Sequence, residues 1–66
     1  MLLTTKQAAT TLGMRPITLS IWRLQHRGPA FARLGRSIRY SEADLQAFVA
    51  ANKVVPENAD KQRNHN

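Results

Sequence analysis

The sequence predicts a small, mainly α-helical domain that carries one β-hairpin, in the order helix, helix, strand, strand, helix. Three observations lead there: two short amphipathic segments broken at Gly13, an alternating stretch interrupted at Gly35, and a Ser-x-x-Asp start at Ser41 that opens an apolar helical period. A chain of 66 residues hides only about 60% of its unfolded surface on folding, so one compact core is expected.

The first helix is announced by Thr4 and Gln7, the spacing at which a cap hydroxyl and a third-position amide satisfy each other's exposed backbone donors. Leu3 is placed to staple against Ala8, and Ala8, Ala9 and Leu12 form an apolar stripe. Gly13 suits the left-handed conformation that ends such a helix. At about eight residues the helix is too short to persist alone and must pack on something.

The second helical segment, "PITLSIWRLQ", opens on Pro16, whose missing amide hydrogen is not needed at a first helical position. Two short helices joined by a few residues with glycine at the break have the sequence form of a helix-turn-helix. Two apolar faces compete on this segment. Ile17, Ile21 and Leu24 stand at i, i+4 and i+7 and by period make the better core stripe, whereas Leu19 and Trp22 make the other. A domain this small cannot bury both.

After the Gly28-Pro29 break, "AFARLGRSIRYS" alternates Ala32, Leu34, Ile38 and Tyr40 with Arg33 and Arg39, the period of a half-buried hairpin. A two-residue turn at Gly35-Arg36 would pair Arg33 with Ile38 and mix the faces. A loop of Gly35 to Ser37 instead pairs Leu34 with Ile38, Ala32 with Tyr40 and Arg33 with Arg39, and is preferred on apolar matching. It sets Arg33 and Arg39 side by side on the outer face and Arg36 at the tip. Like charges directly opposite one another are unfavourable unless an anion lies against them. Either the arginines keep the edge from pairing with other chains, or the hairpin reaches phosphate, which guanidinium geometry favours.

Ser41 then caps a third helix, with Asp44 at its third position and Tyr40 placed to staple to Leu45. Glu42 and Asp44 suit the positive end of the helix dipole, so capping accounts for both. Leu45, Phe48 and Val49 are expected in the core.

Charge separates the chain at the same place as pattern. Lys and Arg total 10 against 4 Asp and Glu, a net +6, and residues 55–66 balance Glu57 and Asp60 with Lys61 and Arg63, so the surplus belongs to residues 1–54. A folded unit over 1–54 and a flexible polar tail over 55–66 are expected. The surplus attracts polyanions. Cysteine is absent, the two histidines are far apart, and no Gly-rich phosphate loop or zinc-hydrolase motif occurs, so neither catalysis nor a metal or cofactor is expected. The start lacks a basic leader and no stretch approaches the ~18 apolar residues of a membrane span, which points to a cytoplasmic protein.

Four stretches in order, "LLTTKQAATTLGM", "RPITLSIWR", "RGPAFARLGRSIRY" and "SEADLQAFVAA", resemble the small excisionase-like, MerR-related winged helix-turn-helix family, which includes phage excisionases and AlpA-type regulators. The resemblance covers residues 2–51 and implies a winged helix-turn-helix, with helix 2 in the DNA major groove and the hairpin as a wing on backbone or minor groove. It places Leu12, Leu19, Trp22 and Leu45 in the core and Gly35 at the wing turn. Thr18 falls where the family has a threonine early in the recognition helix. Arg23 falls where a basic residue supports or contacts the DNA backbone, and Arg33, Arg36 and Arg39 fall on the basic wing.

Arg15 stands where the family commonly has serine; loss of such a cap costs about 1 kcal/mol, and Arg15 can instead reach phosphate. Under the resemblance Ile17 and Ile21 point outward, toward thymine methyl groups or toward another protein. Arg27 completes the candidate DNA-binding set. The implied partners are double-stranded DNA, a site-specific recombinase and further copies of the chain on adjacent DNA sites, as an excisionase or a small transcriptional regulator. The alternative is a protein-interaction module of a mobile-element assembly that uses the Ile17/Ile21/Leu24 face.

Overall fold

Local chemistry decides where the first helix, α1 (Thr5–Leu12), begins and ends. In the computed structural model, which describes residues 1–56, the Thr4 hydroxyl accepts from the Gln7 amide at 3.1 Å and the Gln7 side-chain oxygen accepts from the Thr4 amide at 2.9 Å. Gly13 adopts φ +67°, and the amides of Met14 and Gly13 reach back to the carbonyls of Ala9 and Thr10 at 2.8 and 3.1 Å. That closes the helix in a Schellman motif.

The second helix, α2 (Pro16–Leu24), starts on its proline with Arg15 at the N-cap and no side-chain capping bond. It ends in a second Schellman-type closure, in which the amides of Arg27 and His26 donate to the carbonyls of Trp22 and Arg23 at 2.9 and 3.2 Å. His26 takes the left-handed conformation there, at φ 57°, a position that glycine would occupy with less strain.

The left-handed glycine follows two residues later, where Gly28 has φ +92° and lies against the indole of Trp22. A Cβ at Gly28 would stand 2.7 Å from Trp22 Cε3. Gly28→Ala is therefore expected to lower stability by about 2 kcal/mol, from backbone strain and overpacking together. A urea titration followed by Trp22 fluorescence checks it.

Three strands complete the fold, β1 (Leu2–Leu3), β2 (Ala32–Leu34) and β3 (Ser37–Ser41), before the last helix, α3 (Glu42–Ala51). They form one antiparallel sheet in the order β1-β3-β2. The order helix, helix, strand, strand, helix is that of a winged helix-turn-helix, with β1 added in front. Two residues give no period to detect, yet pairing of Leu3 with Tyr40 turns Leu3 into the core and covers the second edge of β3.

The hairpin register differs from the expected one. Ala32 pairs with Arg39, Arg33 with Ile38 and Leu34 with Ser37, across a two-residue turn at Gly35-Arg36. Gly35 has φ +63° and Arg36 does not share that region, the φ signs of a type II′ turn, whose twist matches the flanking strands. Turn geometry thus prevails over apolar matching. Directly opposed residues share a face, so Arg33 lies on the side of Ile38 and Tyr40, and Arg39 lies on the other with Ala32 and Leu34. The two arginines are not side by side.

Leu3, Ala8, Ala9, Leu19, Tyr40 and Leu45 form the buried centre, with Leu12, Trp22, Phe31 and Ile38 packed against it. Trp22 meets Phe48 at 5.6 Å between ring centroids. Burial of Leu19 and Leu45 each contributes about 1.5–3 kcal/mol. Ser41 caps α3 as expected, its hydroxyl accepting from the Asp44 amide at 3.0 Å. Val49 was expected in the core but is 49% exposed, because α3 runs past the edge of the cluster there and Val49 only borders an open groove with Leu12 and Leu45. Most of the tail expected from residue 55 lies outside the described residues.

Candidate nucleic-acid interface

α2 presents two faces whose fates the structure separates. Leu19 is buried, Trp22 is half-buried, and Arg23, one turn beyond Leu19, points the same way. On the opposite side Ile17, Ile21 and Leu24 are 59%, 43% and 82% exposed. At 3.6 residues per turn these three occupy an arc of about 60°, flanked by the half-buried Thr18 and Ser20. Of the two competing apolar faces, the one with the better period is the one left outside.

Arg23 explains the choice. Its guanidinium donates to the Tyr40 hydroxyl at 2.8 Å, to the Thr5 hydroxyl at 3.2 Å and to the Ser20 hydroxyl at 3.3 Å. It also lies 5.8 Å from the centroid of the Phe31 ring. One side chain therefore ties α2 to α1, to β3 and to the segment ahead of β2. That inward commitment makes Arg23 a half-buried brace.

Beside this brace an open cleft runs between the end of α2 and β2, lined by Arg23, His26, Arg27, Phe31 and Arg33 with the Gly28-Pro29-Ala30 backbone. The lining holds three arginines and a histidine and no carboxylate. Arg27 lies 5.3 Å from the Trp22 ring and Arg33 lies 5.9 Å from the Phe31 ring, while both residues remain exposed. An aromatic ring under a guanidinium limits its motion at modest energetic gain and leaves the in-plane N–H groups available to an anion. Guanidinium forks of this kind match the oxygens of an anion such as phosphate, which accept from them.

The remaining candidates are dispersed. Arg15 is exposed at the start of α2, and Arg36 is exposed at the tip of the hairpin. Arg39 is half-buried on the far face of the sheet, where its guanidinium donates to the carbonyl of its neighbour Ile38 at 2.8 Å. The corrected register thus removes Arg39 from Arg33 and brings Arg27 to it instead. His26, just beyond the end of α2, is exposed on the same cleft.

Phe31 was not among the candidate residues, and its place beneath Arg23 and Arg33 was missed. The signal lay in its two-residue separation from Arg33, which along extended chain puts both on one side. Arg23 carried a comparable signal, four residues from Leu19 and so on the same helical face.

The family model described as a helix-turn-helix domain matches residues 2–53, nearly the full described length. Neither a curated protein nor a solved structure matches the chain.

Proposed function

Because the chain belongs to the small helix-turn-helix domain family that includes excisionase- and AlpA-type proteins, and so binds DNA through its helix-turn-helix, we propose that it is a sequence-selective binder of double-stranded DNA. In this reading α2 enters the major groove with its outward face, and the β2–β3 hairpin lies along the backbone as a wing. The observation that carries it is the cleft between the end of α2 and β2, lined by Arg27 and Arg33 and by no carboxylate. Arg27 and Arg33 hold phosphates there, Arg15 and Arg36 extend the contact at the helix start and the hairpin tip, and Arg23 positions the aromatic floor. Thr18 and Ser20 flank the base-facing arc.

Phosphate contacts fix register and orientation, and base contacts supply selectivity. A surface this small suits an accessory role, in which several copies on adjacent sites, or a bent duplex, add discrimination that one copy lacks. The protein then serves as an excisionase beside a site-specific recombinase or as a small transcriptional regulator, acting on DNA in the cytoplasm. Among the described residues no helix is long and apolar enough to cross a membrane.

Fluorescence anisotropy against the DNA upstream of its own coding region and against random duplex tests this. Binding at least about a thousandfold tighter to the upstream DNA is expected for a selective binder. Equal binding to both would contradict selectivity for that region, and footprinting of a preferred duplex counts the sites.

A further inference from the structure

We propose that the outward stripe Ile17–Ile21–Leu24 reads thymine C5-methyl groups, so that the target of α2 is a thymine-rich face of the major groove. The inference rests on the DNA-binding reading and adds the base chemistry to it. The stripe leaves three large aliphatic side chains in water, with exposures of 59%, 43% and 82%, in a domain with little apolar area to spare.

The arc itself carries no polar side chain, with only the hydroxyls of Thr18 and Ser20 at its margins. Arg23, the only arginine within α2, is turned inward onto Tyr40, Thr5 and Ser20. Gln25 follows the last helical residue, and α2 contains no asparagine, glutamine or lysine. Guanine and adenine are ordinarily recognised by bidentate bonds from just those residue types. Among the bases, thymine alone adds an apolar group to the major groove, its C5-methyl.

Dimensions and charge agree with this occupant. From Ile17 to Leu24 the helix rises about 10 Å, close to three base steps of 3.4 Å on one strand. The stripe runs between Arg15 at one end of α2 and the Arg27–Arg33 cleft at the other. Among the described residues the only carboxylates are Glu42 and Asp44, in the first turn of α3. An apolar strip between cationic ends fits methyl groups framed by phosphates better than it fits the apolar surface of a protein.

The test compares a duplex of alternating dA and dT with the same duplex carrying deoxyuridine at every thymidine, which removes only the methyl groups. Each methyl buried is worth about fourfold in affinity, so two of them are expected to make binding to the thymine duplex about fifteenfold tighter. Ile17→Ala with Ile21→Ala, both at exposed positions, should bind the two duplexes equally. Arg27→Ala with Arg33→Ala should weaken both and keep the ratio.

Equal binding of thymine and uracil duplexes by the native protein overturns the methyl assignment and leaves DNA binding standing. No binding to either duplex, or to random DNA, overturns the DNA reading and the assignment with it. Loss of self-association on sedimentation in the isoleucine variant, with the thymine-to-uracil ratio unchanged, gives the stripe to a second copy and overturns the proposal as well.

Discussion

Replacing Arg23 with alanine is expected to lower the stability of the domain by about 3 kcal/mol, more than any other substitution of a basic residue. Three hydroxyls accept from its guanidinium, at 2.8 Å from Tyr40, 3.2 Å from Thr5 and 3.3 Å from Ser20. Hydrogen bonds from a charged donor contribute about 1.5–3 kcal/mol each, and a hydroxyl left without a partner in the core costs about 1–3 kcal/mol. Tyr40 is 1% exposed, so its hydroxyl has little water to turn to. These contributions are not additive because one side chain makes them all, which holds the expected loss near the value for a single buried network.

A domain of this length has a total stability on the order of 3 to 10 kcal/mol, so the loss removes a third of it or more. Arg23→Lys should fall between the two, since an ammonium keeps the charge but cannot span three acceptors in one plane. Tyr40→Phe should cost about 1–2 kcal/mol. Urea unfolding of the three variants checks the order. Unchanged stability with weakened DNA binding in Arg23→Ala would return Arg23 to the contact surface.

The second large effect is expected on binding. Arg27→Ala combined with Arg33→Ala should weaken duplex affinity about a hundredfold at moderate salt, since each charge-assisted hydrogen bond to phosphate is worth about tenfold. The slope of log K against log salt should become shallower by about 1.8, from two phosphate contacts. Both side chains are exposed and only overlie rings, so stability should change by less than about 1 kcal/mol. Arg39→Ala, on the far face of the sheet, should change affinity by less than about threefold, below the tenfold of a phosphate contact. Anisotropy titrations of the two variants at several salt concentrations separate these outcomes. A larger effect from Arg39→Ala than from the double variant would mean that the opposite face of the hairpin meets DNA.

Where the chain states its structure through local chemistry, it was legible. Thr4 with Gln7, Gly13, Pro16 and the Ser41–Asp44 pair mark helix ends by hydrogen bonds made within a few residues, and each is where the sequence placed it. Long-range choices were harder. On α2 the period favoured Ile17, Ile21 and Leu24, because periodicity counts apolar residues and takes no account of what else a face carries. The opposite face holds Arg23, whose partners Thr5 and Tyr40 are supplied by distant segments, and that bond network selects it as the inner one.

The hairpin register failed for a related reason. Apolar matching assumed that Arg33 had to lie on the outer face, but it stands at the rim of the inner one, its guanidinium over Phe31 and still exposed, which the long side chain allows. Once Arg33 is tolerated there, the two-residue turn with Gly35 at φ +63° sets the pairing. The same error set Arg33 and Arg39 side by side and gave no reason to bring Arg27, already among the candidates, next to Arg33. β1 escaped notice because two residues carry no period, and the left-handed His26 escaped because no glycine marks that helix end.

The most direct test of DNA recognition through α2 and its basic flank is the salt dependence of duplex binding by the native protein, from about 50 to 200 mM. Four phosphate contacts, by Arg15, Arg27, Arg33 and Arg36, should give a linear fall of log K against log salt with a slope of about −3 to −4. No binding at the low-salt end, or a slope near zero, would contradict it.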